Sequence, residues 1–355
     1  MTTHAPVAAF GPALDRGLEW MVRSQSDLGE LTSVASPLDG SEPVWVPDTL
    51  KFITALGAVA LDEIGDPRAT LVVDRAVTFL RSERESCAQW RYWSQENPQY
   101  DFTPPDADDT ACASLGVATR RDRTRSNVAL LLANRDPEGR FYTWLVPRSF
   151  PLDPCRAWAL RDEYRSAVKR RREELWSTTE AESDDVDGVV NTNVIRYLGP
   201  GRAPTDAVRW VRSIIEDGLE DDCDKWHRNR YTLYAAVADA RLRGIEEFAP
   251  LAALVTGRIA ERVDSHGSVG PPLDTALALL AVQGFEGPAT LRAELARSLV
   301  ERQMDDGSWE RSIFYYGGPN EVFGWASEAL GTAWSLQALE RERRTLSGLS
   351  TAPGR

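Results

Sequence analysis

Two interleaved sets of helical segments alternate along this chain, and that alternation constrains its architecture more than any other feature. One set covers about 15–25, 68–84, 122–134, 204–219, 248–263 and 289–303. Its segments carry an apolar stripe and a charged face, as in Arg68-Ala-Thr-Leu-Val-Val-Asp-Arg-Ala-Val-Thr-Phe-Leu-Arg81. The other set covers about 48–61, 106–118, 187–198, 229–243, 271–282 and 323–339. Several of these are apolar nearly all round, such as Leu273-Asp-Thr-Ala-Leu-Ala-Leu-Leu-Ala-Val282. Amphipathic helices belong outside and all-apolar helices inside. Six outer–inner pairs at about 50-residue spacing predict an all-α chain, residues 1–355 forming a single (α/α)6 barrel domain.

The turns carry the same repeat. Gln303-Met-Asp-Asp-Gly307-Ser-Trp309 has the form Q-x3-G-x-W, and Gln25-Ser-Asp-Leu-Gly29 repeats its first half. Arg135-Asp-Pro-Glu-Gly139-Arg-Phe141 and Asp264-Ser-His-Gly267-Ser-Val269 are weaker copies. Glycine ends the outer helix through a left-handed turn, and the aromatic covers the junction to the next inner helix. Residues 141–186 break the spacing with Pro147, Pro151, Pro154 and a charged helix from Asp162 to Glu174, which reads as an insertion, a lid or a partner surface.

Inner helices also start alike, at Asp48-Thr49, Asp109-Thr110 and Asp274-Thr275. In such a barrel all inner N-termini emerge at one end, and their dipoles surround one mouth suited to an anion. At one start there is a surplus. Pro104-Pro105-Asp106-Ala107-Asp108-Asp109-Thr110 holds three carboxylates where a cap needs one. Crowded acids repel, so at least one should hold its proton far above an ordinary Asp and serve as a proton donor. Capping accounts for Asp109-Thr110, leaving Asp106 and Asp108; residues 106 and 109 share a helix face and 108 points elsewhere.

Composition narrows the partners. A net charge of −13 argues against nucleic acid. No apolar run reaches the roughly 18 residues of a membrane span, and the first residues lack a secretion signal, so a cytoplasmic location is expected. The four cysteines form no CxxC pair and are expected to be reduced. Twelve tryptophans are enough to line a cavity as well as fill a core.

Together, the Q-x3-G-x-W turn and Asp106-Ala107-Asp108-Asp109-Thr110 resemble the QW repeat and DxDD(T) motif of class II terpene cyclases and squalene–hopene cyclases. That family lies within the prenyltransferase and squalene-oxidase repeat superfamily. The resemblance implies protonation-initiated cyclisation of a linear isoprenoid such as farnesyl or geranylgeranyl diphosphate. Asp108 would be the general acid, with Asp106 and Asp109 holding it by hydrogen bonds. The cation that forms needs aromatic faces; Trp93, Tyr231, Tyr234, Phe323 and Trp325 stand near expected inner N-termini. Mg²⁺ would accompany a diphosphate head, with no dedicated ligand motif and no organic cofactor. Familiar class II cyclases use two barrels and this chain has one, so a homodimer or a partner subunit could complete the site.

Other constellations have competing readings. Asn191 and Asn193 either face the cavity or bond neighbouring backbone. Arg228 and Arg230 either bind a diphosphate or pair with the acids at 220–224. Glu328 is a lone acid in an apolar segment. Asp221, Cys223 and His227 resemble part of the zinc site of protein prenyltransferase β subunits, but the His expected near the last inner helix is missing. A non-catalytic isoprenoid- or peptide-binding barrel is a second reading. A third is a carbohydrate-active (α/α)6 enzyme with Glu328 or Asp187 as a second acid. A dry aromatic pocket beneath Asp108 would favour the cyclase; an open polar cleft would favour the other two.

Overall fold

The computed structural model describes residues 10–40, 42–146, 166–318, 320 and 322–348, excluding the side chains of 166–170. In chain order, the helices are α1 (Phe10–Ser24), α2 (Lys51–Asp62), α3 (Pro67–Ser82), α4 (Ala107–Ala118), α5 (Ser126–Ala133), α6 (Ser166–Thr178), α7 (Gly188–Leu198), α8 (Thr205–Glu216), α9 (Arg230–Leu242), α10 (Ala252–Ala260), α11 (Pro272–Gly284), α12 (Ala289–Glu301) and α13 (Glu328–Leu346). Helices α2, α4, α7, α9, α11 and α13 form a closed inner ring, each packed on the next and α13 returning to α2. The outer layer is α1, α3, α5, α8, α10 and α12, and the whole is a helical toroid of the expected all-α class.

The two layers differ as their sequences require. Eleven of the 13 residues of α11 are buried, while α8 buries five of 12, at Ala207, Val208, Val211, Ile214 and Ile215, a stripe one helical turn apart.

Each turn is seated on the ring by one hydrogen bond. The Trp309 amide donates to Thr332 Oγ1 at 3.2 Å, the Trp90 amide to Thr110 Oγ1 at 3.2 Å, and the Leu31 amide to Thr54 Oγ1 at 3.0 Å. Asn191 takes this place in α7, accepting from the Phe141 amide at 2.8 Å. Gln25 and Gln303 brace the loops through their amide Nε2 atoms, donating to Gly29 and Gly307 carbonyls at 2.8 Å. Gly29 and Gly307 have φ of +94° and +95°, and a Cβ there would strike the carbonyls of Arg75 and Arg16. Trp309 is fully buried, its Nε1 donating to the Leu299 carbonyl at 2.8 Å.

One element was not foreseen. Strands β1 (Ser33–Pro37), β2 (Val46–Asp48), β3 (Ile313–Gly317) and β4 (Phe323–Ala326) form an antiparallel sheet in the order β2-β1-β4-β3. It lies just before α2 and α13. The segment expected as helix 323–339 therefore opens as a strand, and helix begins only after the Ser327 hydroxyl caps the Leu330 amide at 3.0 Å. Asp48-Thr49 does not cap α2, whose N-cap is Leu50; Asp48 ends β2. Asp274 lies inside the first turn of α11, after Pro271 at the N-cap. Cys112 and Cys223 are free thiols, but Cys87 is disulfide-bonded, which corrects the expectation of reduced cysteines.

Gly307→Ala should lower stability by about 2 kcal/mol or more, since a left-handed backbone and a carbonyl contact both oppose the methyl group. Urea denaturation checks this, with Gly11→Ala as control because nothing lies within 4 Å of a Cβ there. Equal midpoints for the two variants would contradict the strained-turn account.

Candidate active site

At the N-terminal end of the ring, the sheet, α6 and the entries to α4, α7 and α9 enclose a cavity of about 560 Å³. Its floor is the acid run. Asp106 arrives in extended backbone, bridged to Trp144, and is the N-cap of α4: its Oδ1 accepts from the Asp109 amide at 2.7 Å. The cap is thus Asp106 rather than Asp109, and the surplus acids are Asp108 and Asp109.

Asp108 is held mainly from across the ring, with the Cys112 thiol one turn on in α4 donating weakly to its Oδ1 at 3.9 Å. Its Oδ1 accepts from Asn193 Nδ2 of α7 at 2.7 Å, and its Oδ2 lies 3.1 Å from His227 Nε2. Asp106 and Asp109 engage each other instead of bracing Asp108, which corrects the sequence expectation. The loop that delivers His227 is fixed by Asp224. Asp224 Oδ1 accepts from the Trp226 and His227 amides at 2.9 and 2.8 Å, and its Oδ2 accepts from the Val189 amide at 3.0 Å.

Burial and crowding set the proton inventory. Burial, reinforced by the Asp109 charge, pushes Asp106 well above the carboxylate range. Burial lifts Asp109 to about 6 against the opposing hydrogen bond from Asp106 and the Lys51 charge. Burial also disfavours the charged His227 ring, but the hydrogen bond to Asp108 and the charges of Asp224, Asp108 and Asp187 outweigh it, lifting His227 to about 9. An imidazolium therefore faces the Asp108 carboxyl group. Its Nδ1 has no hydrogen-bond partner among the described residues, and the ring also borders a small second cavity of about 50 Å³ lined with Asn193, Arg196 and Asp239.

Above this floor the walls are aromatic. Tyr315 stands 5.5 Å from the His227 ring, stacks on Tyr92 at 4.8 Å and on Trp226 at 5.9 Å, and meets Trp325 edge-on at 5.6 Å. Trp93, Phe102 and Phe323 extend the lining. Exposed Arg171 and Glu174 of α6 mark the open side, where Arg171 Nη2 donates to Gln99 Oε1 at 3.2 Å. Residues 147–165, within the expected insertion 141–186, lie outside the described residues.

The expected site residues thus divide. Trp93, Phe323 and Trp325 line the cavity and Asn193 holds Asp108, whereas the other five go elsewhere. Tyr234 is a core residue whose hydroxyl donates to Glu220. Arg228, Arg230 and Tyr231 border a separate polar cavity with Tyr316, on the other side of β3, and Arg230 pairs with Asp221. Asn191 seats a turn rather than facing the cavity. Glu328 pairs with Arg311 at 3.0 Å. Asp221, Cys223 and His227 turn to different partners, and no group of three or more His, Cys, Asp or Glu among the described residues is arranged for a metal.

No family model and no curated protein matches the chain. Solved structures do. A protein from Actinoplanes superposes with a TM-score of 0.70 at 20% identity, covering 93% of this chain and 98% of that one. A variant of the type II terpene cyclase MstE from Scytonema, in complex with its substrate geranylgeranyl dihydroxybenzoate, gives 0.66 at 14% identity over 95% and 98%. A possible GH105 family member from Salmonella enterica gives 0.57 at 12% identity over 98% and 96%. Identities this low establish the toroid fold, which carries more than one chemistry.

His227 binds its proton more tightly in the folded chain than its ordinary 6.5 allows in the unfolded one. Its stabilising contribution is complete below about pH 6.5 and is lost as pH rises through about 9. The raised Asp109 acts in the same direction, its share being lost as pH rises through about 6. The urea midpoint should therefore decline from pH 6 to pH 9. In Asp108→Asn the His227 ring, now buried beside an amide, should titrate well below 9 by NMR. A ring still near 9 would show that Asp108 does not hold the proton there.

Proposed function

We propose that this chain is a protonation-initiated, type II terpene cyclase acting on a linear isoprenoid. The carrying observation is the pairing of Asp108 with buried His227 and Asn193 at the floor of an aromatic cavity. An alkene is a very weak base, so its protonation needs a strong acid, a stabilised conjugate base and little water. Asp108 Oδ1 accepts from Asn193 and from the Cys112 thiol, while Oδ2 meets only His227 and keeps a second position for a proton. The imidazolium stabilises the carboxylate left after delivery.

The reaction runs as follows. The Asp108 O–H bond breaks as a C–H bond forms at the terminal alkene, leaving a tertiary carbocation. Each neighbouring double bond then supplies the electron pair for a new C–C bond and the cation moves along the chain. Transfer of a proton from an adjacent carbon to a base or water forms the final C=C bond and ends the sequence, giving a cyclic isomer; a proton from solvent then restores the Asp108 O–H. The aromatic walls stabilise the cation without lone pairs that would capture it.

The head group belongs at the open side beside Arg171, Glu174 and Gln99. Mg²⁺ would enter only with a diphosphate head, and the described lining offers it no ligand cluster, so no step here uses it. The nine aromatic side chains of the described lining support cyclisation over glycoside chemistry, and neither Asp187 nor Glu328 lines the cavity.

Purified protein is to be incubated with farnesyl and geranylgeranyl diphosphates and with geranylgeranyl dihydroxybenzoate, and products analysed by mass spectrometry after dephosphorylation where needed. Cyclic isomers are expected from at least one. Asp108→Asn should reduce turnover by about 10²–10⁴-fold while leaving substrate binding in place. If no prenyl substrate of any length is bound or converted, the proposal fails.

A further inference from the structure

Asp48 is the carboxylate for which the reaction has so far given no role. It is half-buried, and it lines the same cavity as Asp108. Both of its oxygens are occupied by N–H donors: Oδ2 accepts from Trp325 Nε1 at 2.7 Å and Trp93 Nε1 at 3.0 Å, and Oδ1 from Asn97 Nδ2 at 2.6 Å and the Thr49 amide at 3.1 Å. Four N–H donors fill the four acceptor positions, the arrangement taken by a carboxylate rather than by a carboxylic acid. All four donors are neutral. No Lys, Arg or His among the described residues forms an ion pair with it.

Four neutral N–H donors can hold a carboxylate at this half-buried position without any cationic side chain to cancel its charge toward the cavity. The two indoles that hold it are themselves walls of that cavity, their rings 6.5 Å apart at 64°. A hydrogen bond from an indole N–H to a carboxylate adds negative potential to the ring face, and that is the face a cation meets.

We infer that Asp48, Trp93 and Trp325 form the end of the cavity where the carbocation dwells, Asp48 acting as its counter-charge through the two indoles. This rests on the cyclase reading above. The proton enters beside His227; Trp325 lies two ring contacts away, through Tyr315, at 5.5 and 5.6 Å per step. Positive charge created at the Asp108 end is therefore drawn toward the Asp48 end as rings close. Asp48 is a positioning residue: it bears on how far cyclisation proceeds, not on whether it starts. The same hydrogen bonds also tie β2, β4 and the loop at Trp93 together, so a purely structural clamp is the competing account.

Two probes separate them: a prenyl chain carrying a tertiary ammonium in place of the cationic carbon, and its neutral hydrocarbon isostere. Binding is measured by calorimetry to the full chain and to Asp48→Asn, which removes the charge and keeps the shape. The wild type should prefer the ammonium probe by about tenfold. Asp48→Asn should lose that preference, bind the neutral probe within about twofold of wild type, and shift products toward less cyclised skeletons. Trp325→Phe, which removes one donor and keeps a ring, should move both readouts the same way by a smaller factor, and it stands in if Asp48→Asn fails to fold. An unchanged probe ratio and product profile, with only a lower melting temperature, would overturn the inference and leave the cyclase reading intact. A wild type that binds neither probe and converts no prenyl substrate would overturn both.

Discussion

All six inner helices begin at one end of the ring, and this common polarity decides where a charge can be buried. A helix start presents unpaired amides and the positive end of a dipole. Carboxylates buried at these starts meet amide donors, whereas Asp239 and Glu342, toward the other end of the ring, are paired with arginines. Asp106 lies within one such start, taking the Asp109 amide, while Asp224 takes the Val189 amide at the start of α7. The active cavity is therefore a property of the toroid before it is a property of any one residue. Closing the ring brings Asn193 and His227 to Asp108 from sequence positions 85 and 119 residues away.

The floor of the cavity works because its acids are not equivalent. Asp106 and Asp109 face each other, so repulsion between them is relieved by a proton held on Asp106. Asp108 faces a cation instead. Its partners across the ring are a neutral amide and an imidazolium, which favour a negative oxygen once a proton has left. The same run thus contains a hydrogen-bonded pair, with Asp106 capping the helix through the Asp109 amide, and a separate carboxyl group turned to partners across the ring. Three adjacent acids can have different roles because helical geometry points them in different directions.

The sequence made the ring legible because its signal is periodic. Outer helices read correctly from apolar stripes such as that of α8, inner ones from apolar runs such as α11, and the left-handed turns from Gly29 and Gly307. The sheet was not legible. β3 and β4 are short, and in Phe323-Gly-Trp-Ala326 an apolar run is consistent with helix or strand until its partner strand is known. For the site, the acid run and three aromatic residues could be read from composition and position. His227 could not, because its role depends on a contact across the ring. It was instead considered beside Cys223, its sequence neighbour, though its ring turns to Asp108. Asn191 and Asn193, two residues apart in α7, illustrate the same limit: one seats a turn and the other holds the acid.

Repetition explains why acids recur around the mouth and also why they have diverged. Asp48, Asp106 and Asp187 each stand just before an inner helix, at α2, α4 and α7. Only Asp106 caps its helix through the side chain. Asp187 accepts from Trp226 Nε1 at 3.2 Å and Thr143 Oγ1 at 2.5 Å, and burial lifts it to about 8. Asp48 takes two indoles, the Asn97 side-chain amide and the Thr49 backbone amide. A residue type that the fold tolerates at every inner start thus becomes a cap at one, a protonated brace behind the wall at another, and an acceptor for two tryptophans at a third. What separates the three is how many N–H groups reach each carboxylate. Two indole donors make Asp48 part of an aromatic wall of the cavity.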